Sequence, residues 1–116
     1  MSRFLPADHS KGDERTIGGY AAVHARPAAF EGRDGFSYSV EILADTSDDP
    51  VGAFGAFFLF VRWKRFGEQE VDGHLESAFL AHGPDADSAR TALGAMPVEE
   101  VQRHLDVLIL GRTEAE

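Results

Sequence analysis

The chain predicts an α+β domain: a four-stranded antiparallel meander followed by two C-terminal helices packed on one sheet face. Three observations carry this expectation. Phe36 to Asp45 alternates apolar and polar residues with a strand's period of two. Gly52 to Phe66 reads GAFGAFFLFVRWKRF and is apolar on both parities through its middle, as a central strand covered on both faces requires. After Gly83-Pro84-Asp85 the apolar spacing changes to that of helices, with Val98, Val101, Leu105 and Leu108 on one stripe.

The elements follow in order. Ile17 to Phe30 reads as a first strand, with Ile17, Ala21, Val23 and Ala25 on one parity and Tyr20, His24 and Arg26 on the other. Pro27 has no N–H for a ladder and makes it an edge strand. Glu31 to Gly35 is a tight connection, and Phe36 to Asp45 forms the second strand. Thr46 to Pro50 is a loop, and the aromatic run to about Phe66 is the third strand. Val71 to Ala81 is the fourth, its apolar parity carrying Val71, Leu75, Phe79 and Ala81.

Asp85 or Asp87 caps a first helix that runs to about Leu93, and Gly94 terminates it. Pro97 opens a second helix, with Glu99 and Glu100 at its positive dipole end and Gly111 at its close. Short connections favour an antiparallel meander. The helices are expected to dock on Val23, Tyr38, Val40, Ile42, Leu59, Val61, Trp63, Leu75 and Phe79. Residues 1–15 read as a flexible N-terminal arm with Phe4 and Leu5 its only sizeable apolar residues, 16–111 as one domain and 112–116 as a polar tail.

Composition bounds the function. The chain has 116 residues, enough for one core without staples, and no cysteine, which removes thiol chemistry and thiolate metal sites. A net charge of -9 disfavours nucleic-acid binding. The second closing helix lacks the basic face that major-groove reading needs, because Arg103 is its one Arg or Lys in the periodic stretch, against Glu99, Glu100 and Asp106. The aromatic strand with Arg62 and Lys64 has a distant likeness to single-strand stacking platforms, but the sequence pattern of such modules is absent. The aromatic run is too short to span a bilayer, and the N-terminal residues show no secretory h-region, so the expectation is a cytoplasmic protein without a membrane partner.

That docking scheme sends Phe54, Phe58 and Phe60, with Arg62 and Lys64, to the second sheet face. Three adjacent phenyl rings there form a patch of the size that marks an interface. The leading expectation is therefore a small non-enzymatic module that self-associates as a homodimer through Phe54, Phe58, Phe60, Arg62 and Lys64.

Two other readings stand beside it. His24, Glu41, His74 and Glu76 supply imidazoles and carboxylates for acid–base or metal chemistry. Their spacing fits no helix-borne metal motif, and strands one and four of a meander start roughly 14 Å apart. The expectation is separate cross-strand pairs instead, His24 with Glu41 and His74 with Arg62, Lys64 or a neighbouring chain, and no metal or cofactor. His82 is read as a loop residue and His104 as a surface partner of Glu100. An acidic surface from Asp45, Asp48, Asp49, Asp85 and Asp87 would suit an inhibitor or immunity-type protein that binds a basic partner. No phosphate loop and no nucleophile elbow occurs.

Overall fold

The computed structural model describes residues 7–48, 53–63 and 71–115. Its elements are a 3-10 turn (His9–Lys11), α1 (Ile17–His24), β1 (Ala29–Glu31), β2 (Ser37–Thr46), β3 (Phe54–Trp63), β4 (Val71–Glu76), β5 (Ala81–Gly83), α2 (Ala86–Gly94) and α3 (Val98–Ala115). The sheet is antiparallel with order β1-β2-β3-β4, and β5 pairs with β3 beyond the end of β4. The two C-terminal helices pack against this sheet, as the sequence predicts.

The first predicted strand is the main correction. Residues 17–24 are helical, and only 29–31 pair with β2. Thr16 caps the helix by accepting from the Gly19 N–H at 3.0 Å, and Ala25, with φ 53°, closes it in the left-handed region. Gly18 and Gly19 make the segment read as a weak strand. Their role is close approach: a Cβ on Gly18 would lie 3.1 Å from the Gly94 Cα, where α1 crosses the end of α2, and a Cβ on Gly19 would strike the Asp13 carbonyl. Neighbouring backbone ties hold this corner, with Ile17 N–H donating to Met96 O at 2.9 Å and Val98 N–H to Arg15 O at 2.8 Å.

The N-terminal stretch after residue 6 lies against α1, where the Asp8 N–H donates to Val23 O at 2.9 Å. Phe4 and Leu5 lie outside the described residues. The fourth strand is split into β4 and β5, with the Ser77 and Leu80 N–H groups still donating to Phe58 O and Ala56 O across the break. α2 begins at Asp85, whose carboxylate accepts from the Ser88 N–H at 2.7 Å, and ends at Gly94 as expected. α3 does not stop at Gly111 but continues to Ala115.

One apolar core lies between the sheet and the helices. Tyr38, Val40, Phe58, Phe60, Leu93, Val101 and Leu105 fill it, with Ile17 and Ile109 at its edges. Val40 stands opposite Phe60 and Ile42 opposite Phe58, so one parity of β2 and one of β3 share this face. A buried Leu or Phe of this kind contributes about 1.5–3 kcal/mol relative to exposure.

Candidate functional site

The parity of β3 is the reverse of the sequence expectation. Phe58 and Phe60 are 0% exposed beneath the helices, and Phe54 is half-buried against the same core. They form no outer face, and Lys64 lies outside the described residues. Phe57, Leu59, Val61 and Trp63 point the other way and are half-exposed. Leu105 is buried as predicted, but Val61 and Trp63 do not meet it. Both parities are apolar, so alternation alone does not choose between them. The choice falls to the rings that fill the space under α2 and α3.

Arg62 follows the buried parity and closes the core at the sheet's end. It stands opposite Tyr38, its guanidinium is 4.6 Å above the Phe36 ring, and it lies 3.9 Å from Asp34 Oδ2. The Tyr38 hydroxyl donates to Asp34 Oδ2 at 2.7 Å. Burial, then the bond to Asp34 and its negative charge, push the Tyr38 phenol up to about 12, against an opposing effect of Arg62.

The open face is built from the register of three strands. β3 supplies an apolar column of Phe57, Leu59, Val61 and Trp63. On one side Ser37, Ser39, Glu41, Leu43 and Asp45 of β2 stand opposite Trp63, Val61, Leu59, Phe57 and Gly55. On the other, His74 stands opposite Val61 and Glu76 opposite Leu59. The Trp63 indole N–H donates to Ser39 Oγ at 2.9 Å, which fixes the ring across the strands.

Phe79 extends the column past the end of Phe57. The ring centroids are 5.9 Å apart, and Phe79 covers Gly55, where a Cβ would clash with the ring. Leu43 and Phe79 are 37% and 38% exposed, so the patch reaches the surface at both flanks. Among the described residues, no helix packs on this side of the sheet. Sequence reasoning missed Phe57, Leu59, Val61, Trp63, Leu43 and Phe79 as a surface because it placed four of them in the core.

The imidazoles and carboxylates do not converge. His24 ends α1, and its Nε2 lies 2.9 Å from Glu14 Oε2, not beside Glu41. His9 Nε2 reaches the same oxygen at 3.2 Å. The His24 bond, with His9's charge behind it, holds the Glu14 carboxyl below its ordinary range. His74 is beside Glu76 at 3.8 Å, and both are well exposed. Arg62 lies on the opposite face from His74, so the predicted His74–Arg62 pair does not form.

His82 pairs across to Gly55 and meets Phe79 edge-on at 5.9 Å, while His104 lies 6.4 Å from the buried Phe58 ring. Among the described residues no group of three or more His, Asp or Glu is arranged to hold a metal ion. No described helix is long and apolar enough to cross a membrane. No family model, curated protein or solved structure matches this chain.

Proposed function

We propose that the protein is a small non-enzymatic interaction module that self-associates through its aromatic sheet face. The observation that carries this reading is the apolar column Phe57, Leu59, Val61 and Trp63, flanked by Leu43 and Phe79, on the side of the sheet away from the described helices. Six such side chains on one face reach a few hundred Å², the scale at which a surface patch functions as an interface. A second copy fits this face because the patch is self-similar: an apolar stripe with polar columns on both sides can meet its own image about a two-fold axis. Glu41, Asp45, His74 and Glu76 then stand at the rim, where they remain hydrated.

Light scattering across a concentration series tests the reading. The parent chain is expected to run as a dimer and Val61→Glu as a folded monomer. Val61 stands between Ser39 and His74, so a carboxylate there has polar neighbours and leaves the core untouched. A parent chain that is monomeric at high micromolar concentration contradicts the proposal.

A further inference from the structure

A different surface carries an inference of its own: the outer edge of β2. β1 and the residues flanking it cover this edge only from Phe36 to Val40. The Val40 N–H points outward, donating to Ala28 O at 3.4 Å, and Phe36 O accepts from Gly32 N–H on the same side. Strand groups alternate, so the N–H and C=O of Ile42 and Ala44 also point outward.

The other ladder agrees. Phe58 O and Ala56 O accept from Ser77 and Leu80, so the even residues of β3 face β4 and β5, and its odd residues face the odd residues of β2. Among the described residues nothing pairs the outward groups of Ile42 and Ala44. Beside this edge runs an open groove of about 490 Å³, walled by Ile17 and Ala21 of α1 and by Arg26, Pro27 and Ala28, so that a cation of the protein itself stands in the groove and the partner's basic side chains belong on the other side. The groove exists because the chain is still leaving α1 here: the Arg26 N–H, next in line to pair with Ile42, instead donates to Ala21 O at 3.3 Å.

We infer that this edge accepts an extended strand from a basic partner, with apolar side chains at alternate positions. The backbone of such a strand pairs with Ile42 and Ala44, and one set of its side chains enters the apolar groove. The other set stands on the open side next to Glu41 and Asp45, both exposed and two pleats apart.

Those carboxylates choose the occupant. A second copy pairing antiparallel through all the outward groups of Ile42 and Ala44 sets Ile42 opposite Ala44. That register sets Glu41 opposite Asp45 twice over, between two chains of net charge -9. Lysine or arginine at these positions turns the repulsion into attraction. The inference concerns the edge and stands apart from self-association through the face.

The test uses the acetylated, amidated peptide Lys-Val-Lys-Val-Lys-Val-Lys and isotope-labelled full-length protein. Amide signals are followed by NMR, with hydrogen exchange as a second readout. The expected result is shifted Ile42 and Ala44 amides whose exchange slows about tenfold. Added salt should weaken the effect. The counterpart with Glu in place of Lys, and a basic peptide N-methylated along one edge, should leave both amides unchanged.

Glu41→Lys, at an exposed position, should weaken the basic peptide and favour the acidic one. Val61→Glu should bind the basic peptide as the parent does, which separates edge from face. Unchanged Ile42 and Ala44 amides would overturn the inference. So would perturbations confined to the open face, or slow exchange that grows with protein concentration in the absence of peptide, which would make a second copy the occupant.

Discussion

The two faces of one strand make the instructive comparison in this molecule. Phe58 and Phe60 are neighbours of Leu59 and Val61 along β3, with the same apolar character, yet one pair is sealed and the other is half-exposed. The sealed side has three helices to fill, and phenyl rings opposite Val40 and Ile42 fill the layer beneath α2 and α3. The open side has a flat column and polar neighbours on both flanks. Hydrophobicity therefore does not decide which face is core. Ring volume against the available helical layer does.

The sharpest way to break this comparison is truncation on each face. Phe60→Ala should cost about 3–5 kcal/mol in denaturant melts, and Leu105→Ala, in the helix above it, about 2–5 kcal/mol. Leu59→Ala, measured on dilute protein, should cost under about 1 kcal/mol. Equal losses at Phe60 and Leu59 would mean that both faces are core.

Much of the architecture was legible because each signal had one physical reading. Phe36 to Asp45 alternates cleanly and becomes β2, within one residue at each end. Asp85, three residues before Ser88, caps α2 where a capping residue should. The misreadings fall where two readings fit. Ile17 to His24 has two glycines that dilute the helical stripe, and the close approach of Gly18 to Gly94 is distant in sequence. The parity of β3 is ambiguous for the reason given above, and with it went the location of the candidate interface. His24 found Glu14, ten residues away along the chain, because residues 17–24 are not a strand.

A smaller effect sharpens the contrast through pH. The phenol of an unfolded tyrosine ionises near 10, whereas Tyr38 on the sealed face is pushed up to about 12. Above pH 10 the unfolded chain loses a proton that the folded chain keeps, so stability falls as pH rises from about 10 towards 12. Alkaline melts should show this fall, and Tyr38→Phe should flatten it. An absorbance titration of the folded protein should show a phenol ionising well above 10 that Tyr38→Phe removes. The absence of such a late step would place Tyr38 outside the core.

The smallest expected effect is at the α2 cap. The Ser88 N–H and hydroxyl hold the Asp85 carboxyl below its ordinary range. Its contribution is present above the unfolded value and is lost as pH falls through the folded one. Asp85→Ala should lower the Tm slightly at neutral pH and reduce the acid slope of stability. An unchanged melting curve at both pH values would remove the cap from the account.

The most direct test of the central claim uses Trp63, the chain's one tryptophan, which stands on the open face. Acrylamide quenching of its emission is measured across a dilution series, for the parent and for Val61→Glu. A shielded indole is expected at high concentration, with quenching that rises on dilution as the faces separate, and the Val61→Glu protein should quench strongly throughout. Quenching that is independent of concentration in the parent chain would contradict the claim.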